Sequence, residues 1–131
     1  MELPEFAPGL GSRVELTVTD ADTAQALGSG DVPVLATPRV LALAEAATVA
    51  ATARQLPGGL TTVGTRAEVE HRAPTPVGHR VVAQATLARQ DGRTLIFEVT
   101  VHDGADLVAE VRVERVVLDR RRFIAKALGD E

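Results

Sequence analysis

The sequence predicts an α+β domain in which a curved antiparallel sheet of about five strands wraps around one long central helix. Three observations support this prediction. One strand-like segment, one long helical segment and four more strand-like segments follow each other; the strands alternate apolar and polar residues; and the helix is apolar on nearly every side. A single helix is covered on most sides only by a sheet that curls, as twisted antiparallel sheets do. The 131 residues form one domain over 13–131, preceded by an arm over 1–12.

Local signals delimit the first strand and the helix. Residues 13–19 alternate as a half-buried strand does, and residues 20–34 are small, polar and glycine-containing, which favours a loop or a weak helix. Good helix formers then run over 38–56, up to a Pro-Gly-Gly stop signal. Thr37 suits the N-cap and Pro38 the first helical position, although a hydroxyl there also lies beside backbone N–H groups that can hold an anion.

Four alternating segments predict the remaining antiparallel strands. Their apolar residues occupy odd-numbered positions, so each strand has one dry face and one wet face. Asp-Gly pairs mark hairpin turns after the second and third segments, and residues 120–128 indicate a terminal helix or tail. The segments are 61–73, 79–89, 93–101 and 107–118. Five strands around one helix is the hot-dog fold, and its open outer edge predicts pairing into a homodimer.

Composition excludes several classes of function. The net charge of −4, with no Trp or Tyr and only three Phe, argues against nucleic-acid binding. The absence of Cys excludes disulfides, zinc-thiolate sites and a thiol nucleophile. The N-terminus does not resemble a signal peptide, and no apolar stretch reaches the ~20 residues of a membrane span. We therefore expect a soluble cytoplasmic protein with no membrane partner.

Chemistry is expected where a polar residue breaks its local pattern. Glu45 is the only ionisable residue over 40–53. A buried carboxylate there needs a partner, a raised pKa or an adjacent substrate, unless it points through a gap to solvent. His71 falls on the dry face of its strand, where it is either a general acid or base or a hydrogen-bonded core histidine.

Three further features each have a structural and a functional interpretation. Arg115 interrupts a dry face, so it either reaches water at the strand end or offers a cation at a pocket mouth. Gly64 either marks a bulge or lets a ligand approach the backbone. The run Arg120-Arg121-Arg122, with Lys126, is either a solvated tail or an anchor for a phosphorylated ligand.

These features occur together in a pattern that resembles one family over about residues 13–126. The matching elements are Ala36-Thr37-Pro38, the helical stretch 43–47, Val63-Gly64-Thr65, the stretch 70–78, Gly92-Arg93, 101–104 and Glu114-Arg115. This pattern is similar to the fluoroacetyl-CoA thioesterase-like branch of the hot-dog superfamily. The resemblance implies a homodimer that hydrolyses acyl-CoA near the subunit interface and needs neither cofactor nor metal.

The resemblance also implies roles for individual residues. Thr37, Glu45 and His71 occupy the positions of the family's catalytic set, and Gly64 matches the glycine associated with the thioester carbonyl. Arg115 and Pro38 are expected in the substrate site. The fluoroacetate-selective pattern includes a Phe-bearing segment before the Thr, whereas residues 28–36 here contain no Phe.

We therefore predict hydrolysis of a short or medium acyl thioester. A backbone N–H near Gly64 or at the helix N-terminus would polarise the carbonyl, and Glu45 would attack it or activate water. His71 would move the proton to the departing thiolate, and Thr37 would act as a donor or as a nucleophile relayed by His71. The alternatives are a protein that binds acyl-CoA or a fatty acyl group without chemistry, an enoyl-CoA hydratase-like lyase, and an interaction protein.

Overall fold

The computed structural model describes residues 2–129 and confirms the predicted hot-dog architecture. One five-stranded antiparallel sheet has the strand order β1-β3-β4-β5-β2, so β1 and β2 form its two edges. The long helix α2 packs against the inner face of this sheet. The elements are β1 (Gly11–Thr17), α1 (Ala24–Leu27), α2 (Thr37–Thr52), β2 (Leu60–His71), β3 (Arg80–Asp91), β4 (Thr94–Asp103), β5 (Asp106–Asp119) and α3 (Arg120–Leu128).

The strands β3, β4 and β5 confirm the prediction from alternation. Their odd-numbered apolar residues are buried against α2, while glutamates and arginines occupy the opposite face. The core positions are Val81, Ala83, Ala85, Leu87, Leu95, Phe97, Val99, Val101, Ala109, Val111, Val113 and Val117.

The prediction that Thr37 caps the helix was wrong. Ala36 is the N-cap, since its carbonyl oxygen accepts the N–H of Val40 at 3.0 Å, and Thr37 is the first helical residue. Pro38 follows at the second position, where its missing N–H costs nothing. The helix ends at Thr52, four residues before the predicted end, because the chain already turns there. The hydroxyl of Thr37 is therefore not needed to cap its own helix.

The edge strand β2 carries a β-bulge. Gly64 pairs with Arg115 and Arg66 pairs with Glu114, so Thr65 is an extra residue opposite β5. The strand alternation therefore changes phase at this point.

This bulge determines which residues of β2 share a face. Gly64 and His71 are seven positions apart, so a regular two-residue period would place them on opposite faces. With the bulge, Gly64 pairs with Arg115 and His71 pairs with Ala109, two residues on the buried face of β5. Val63, predicted on the dry face, pairs instead with a residue of the outer face. Gly64 and His71 consequently both face the helix side of the sheet.

One side of α2 remains uncovered in the single chain. Residues Ala42, Ala46, Val49 and Ala50 are exposed on this side, and Glu45 lies half-exposed among them. The helix was expected to be buried on most sides, but the sheet of one chain covers only one. The middle of β2, over residues 64–68, is exposed as well.

The N-terminal segment packs on the domain. Phe6 is buried in the core, and its N–H donates to Oε1 of Gln90 at 2.9 Å. Strand β1 begins at Gly11, two residues before the predicted start. Over residues 2–129, the structure contains no helix long and apolar enough to cross a membrane.

Candidate active site

A hydrogen bond joins the start of α2 to the end of β2. Oγ1 of Thr37 lies 2.7 Å from Nδ1 of His71. The N-cap at Ala36 orients the first turn so that this hydroxyl points to the strand, and the bulge in β2 turns the imidazole toward the helix. The two residues are 34 positions apart in the chain, so the fold brings together a hydroxyl and an imidazole.

The imidazole of His71 is held in its neutral form. Burial lowers the pKa of His71 below its usual value, and a hydrogen bond with the backbone of Ala73 opposes this only in part. The other ring nitrogen, Nε2, is buried and makes no hydrogen bond of good geometry. An unsatisfied buried polar atom is costly, so Nε2 is a group ready for a partner.

A cavity of about 350 Å³ lies beside this pair. The loop between α1 and α2 forms one wall, and the end of β2 forms the other. Pro38 is exposed and lies next to the lining residues rather than among them. Six of the lining residues are Val32, Val34, Leu35, Thr37, His71 and Pro74.

An ion pair anchors the turn before α1 to the start of α2. Nε of Arg39 lies 2.9 Å from Oδ1 of Asp22, and the N–H of Ala36 donates to the Asp22 carbonyl. Burial tends to raise the pKa of Asp22, but hydrogen bonds from Thr19 and Arg39 outweigh it and hold this pKa below its usual range. Ala36, the lining residue that ends the loop between α1 and α2, is therefore held in place by its hydrogen bond to Asp22.

A second polar cluster lies farther along α2 and β2. Nη1 of Arg115 donates to Oε2 of Glu45 at 3.0 Å. The same guanidinium donates to Oγ1 and to the carbonyl oxygen of Thr62, at 3.0 and 3.1 Å. Its side chain is 8% exposed, whereas that of Glu45 is 39% exposed. Arg115 therefore does not reach water at the strand end; it holds the carboxylate of Glu45 from the buried side.

Gly64 leaves room for this carboxylate. A Cβ built at Gly64 would collide with Oε2 of Glu45 and would lie 3.3 Å from Nη1 of Arg115. The bulge predicted as one interpretation of Gly64 is present, and the lack of a Cβ also allows a close approach to the backbone. The group that approaches here is a side chain of the same protein.

The structure forms two clusters from the predicted site residues, not one. Thr37 and His71 form the first, and Glu45, Gly64 and Arg115 form the second. Within residues 2–129, no hydrogen bond or ion pair joins Glu45 to Thr37 or to His71. Glu45 lies eight positions after Thr37 in the helix, a distance of ~12 Å along the axis.

Sequence reasoning missed Thr62. Its hydroxyl and carbonyl both accept from Arg115, yet it reads as an ordinary strand residue. The only available signal was the buried-face position of Arg115, which implied that some neighbour must satisfy its donors. Among the described residues, no three His, Asp or Glu side chains lie close enough together to hold a metal ion.

Comparison with known proteins identifies the family. The sequence profile of the fluoroacetyl-CoA-specific thioesterases matches residues 18–121, most of the chain. The chain belongs to this family. A fluoroacetyl-CoA thioesterase from Streptantibioticus cattleyicolor is 39% identical over 93 residues, which cover 71% of this chain and 67% of that protein. The predicted resemblance is thereby confirmed.

Solved structures agree with this membership of the fluoroacetyl-CoA-specific thioesterase family. A variant of the fluoroacetyl-CoA thioesterase FlK in complex with acetyl-CoA has a TM-score of 0.89 and 30% identity, covering 95% of this chain and 98% of that one. A hot-dog-like protein from Thermanaerovibrio acidaminovorans has a TM-score of 0.87 and 25% identity, covering 95% and 92%.

Proposed function

We propose that this protein is a thioester hydrolase that acts on acyl-CoA. The observation that carries the proposal is the Thr37–His71 pair, with a neutral imidazole whose Nε2 lacks a partner, at the wall of a cavity in a fluoroacetyl-CoA-specific thioesterase family member. The acetyl-CoA bound to a variant of FlK supports a CoA thioester as the substrate.

We further propose that the complete active site forms between two copies of the chain. Edge strand β2 is free, and the exposed side of α2 is apolar around Glu45. In an antiparallel pair of β2 strands centred near residues 67 and 68, Gly64 of one chain lies beside the partner's His71. The two clusters of one chain then belong to two different sites, each with a Glu45 from one copy and a Thr37–His71 pair from the other.

The chemistry follows from the state of each group. Backbone N–H groups near Gly64 or at the start of α2 polarise the thioester carbonyl, and one such donor typically contributes ~3 kcal/mol to transition-state stabilisation. The carboxylate of Glu45, held by Arg115, takes a proton from the attacking water, or it attacks the carbonyl carbon itself to form an anhydride that water then hydrolyses. The neutral His71 accepts the proton that the nucleophile gives up, directly or by way of Glu45, and passes it to the sulfur as the C–S bond breaks, so that a carboxylic acid and a thiol are released. Thr37 orients the imidazole or acts as a nucleophile that gives its proton to His71.

The acyl group is short or medium in this proposal. The cavity is about 350 Å³, and the loop that forms its wall contains valines and a leucine where a fluoroacetate-selective pattern has a Phe. Such a wall provides apolar contact but no aromatic ring next to the acyl carbon. Ordinary aliphatic acyl groups fit this lining.

The proposed location of the protein is the cytoplasm, where acyl-CoA is made and used.

A thiol-release screen over acyl-CoA substrates of increasing chain length tests the function. We expect release to peak at a short or medium chain and to stop in the His71→Ala variant. A ligand-binding protein without chemistry would show thermal stabilisation by acyl-CoA and no thiol over hours. A hydratase-like lyase would change the absorbance of an enoyl-CoA without releasing thiol, and either result would reject the proposal.

A further inference from the structure

An arginine cluster lies at the junction of β5 and α3, outside both polar clusters described above. Arg120, Arg121 and Arg122 line an open cavity of about 680 Å³ together with Gly59 and Ile124. All three arginines are exposed. The N–H of Arg120 donates to the Gly59 carbonyl at 2.9 Å, so the cluster is tied to the start of β2.

Within residues 2–129, none of these three arginines forms an ion pair with a carboxylate, and neither do Arg13, Arg54, Arg89 and Arg93, whereas six other arginines are paired: Arg39, Arg66, Arg72, Arg80, Arg112 and Arg115. What sets the three apart is that they are consecutive and line one cavity. One carboxylate, Asp119, also lines the cavity, and its Oδ1 accepts the backbone N–H of Arg122 at 3.0 Å. The cavity thus holds three guanidinium groups against one carboxylate, in a protein with a net charge of −4.

The cluster lies at a defined distance from the carbonyl end of the site. Arg115, which pairs with Gly64, is four strand residues before Asp119, or ~13 Å along β5. An extended pantetheine arm spans roughly 15 Å from its sulfur to its phosphate, judged from standard bond lengths. A thioester at Gly64 can therefore place its phosphates at the arginine cluster of the same chain.

We propose that Arg120, Arg121 and Arg122 bind the nucleotide phosphates of the CoA carrier. This proposal rests on the proposed function and adds a carrier site to it. Guanidinium groups bind phosphate oxygens through paired, charge-assisted hydrogen bonds, and three in sequence can meet the pyrophosphate and the 3′-phosphate together. The cluster makes the enzyme selective for CoA thioesters over thioesters on a carrier without a nucleotide.

The test compares one acyl group on three carriers: CoA, 4′-phosphopantetheine and pantetheine. In the Arg120→Ala/Arg121→Ala/Arg122→Ala variant, KM for the acyl-CoA should rise roughly tenfold with kcat kept, because three exposed charge-assisted contacts are lost. Values for acyl-pantetheine should not change, and the phosphopantetheine thioester should lie between them. The variant with Lys at all three positions should have a KM close to that of the wild type. Added salt should raise KM in the wild type but little in the Ala variant.

A charge-matched control separates contact from long-range attraction. Arg13→Ala/Arg80→Ala/Arg89→Ala removes the same charge from β1 and β3, on the far side of the sheet. An equal rise of KM in this control, or an unchanged KM in the α3 variant, would overturn the proposal.

A binding measurement keeps the test independent of catalysis. Calorimetric titration with adenosine 3′,5′-bisphosphate should show binding to the wild type and to the charge-matched control, but not to the α3 Ala variant. Equal binding to all three, or none to the wild type, contradicts the arginine site. If the wild type hydrolyses neither acyl-CoA nor acyl-pantetheine, the proposed hydrolase function fails, and this titration still decides the carrier site.

Discussion

The two polar clusters on the inner side of the sheet are stabilised in opposite ways. Glu45 has an ionic partner in Arg115, which also donates two hydrogen bonds to Thr62. His71 has no charged partner; one ring nitrogen hydrogen-bonds to the hydroxyl of Thr37, and the other is buried without a hydrogen bond of good geometry. The first cluster keeps a charge in place, whereas the second keeps a titratable group neutral by burial.

This difference shows how one chain can prepare a paired carboxylate and a neutral imidazole. The guanidinium of Arg115 offsets the charge of Glu45, so the carboxylate favours a protonated imidazole nearby less strongly than an unpaired one would. The two groups are held apart within the chain and are proposed to meet only in the assembled dimer. Each cluster can therefore be perturbed separately.

The largest expected effect is the loss of either reacting group. Glu45→Gln and His71→Ala should each lower kcat by about a thousandfold, within the range seen when a general acid or base is removed. Both variants should keep the wild-type circular dichroism spectrum. The controls are Glu98→Gln and His102→Ala on the outer face, and full activity in either site variant would reject the assignment.

Gly64→Ala should show how far activity depends on the position of the Glu45 carboxylate, as distinct from its presence. The added Cβ displaces the carboxylate of Glu45 without removing any reacting atom. We expect kcat to fall by about a hundredfold, the scale associated with a small misplacement of a catalytic group. Gly58→Ala is the matched control, since a Cβ there meets no atom within 4 Å. Equal activity of the two variants would show that the contact between Gly64 and Glu45 is irrelevant.

Arg115→Met should reduce stability more than removal of a surface arginine. The substitution leaves Glu45 and Thr62 without their donor. Breaking a buried ion pair lowers the free energy of unfolding by about 3–5 kcal/mol. We expect a loss of about 2 kcal/mol here because the carboxylate of Glu45 is partly exposed. The control Arg66→Met breaks a surface pair and should cost less than about 0.5 kcal/mol. Urea unfolding measures both, and similar losses would contradict the anchoring role of Arg115.

The pH dependence should report the His71 environment. Because burial lowers the pKa of folded His71, the acid limb of kcat/KM should lie below the value of about 6.5 typical of free histidine. As the pH falls, the imidazole of His71 is protonated at a higher pH in the unfolded chain than in the folded one. The free energy of unfolding should therefore decline as pH falls below about 6.5. The His79→Asn variant should keep this limb, and a limb above 6.5 would contradict the neutral imidazole.

The sequence predicted the strands and the long helix better than the contacts and the register between them. Alternation in β3, β4 and β5 revealed the sheet because one face is wet. The break at Arg115 marked an unusual cation, but the two interpretations offered for it placed it at the strand end in water or at a pocket mouth, whereas its side chain is buried. The partner of that cation is 70 positions away, and no local pattern contains it. The bulge at Gly64 likewise depends on pairing with β5, so a regular period put Val63 on the wrong face. Thr37 was expected to cap its helix because hydroxyl side chains are favoured at the N-cap, but its hydroxyl is hydrogen-bonded to His71 at the end of β2.

Subunit complementation tests the shared active site most directly. The His71→Ala chain keeps Glu45, and the Glu45→Gln chain keeps His71. After the two inactive variants are mixed and allowed to exchange subunits, half of the dimers should be mixed, and each mixed dimer should have one intact site. Thiol release should then return to about a quarter of the wild-type rate, as expected for random pairing in a two-fold dimer. If exchange is verified and the rate stays at the level of the separate variants, the site lies within one chain and this account is contradicted.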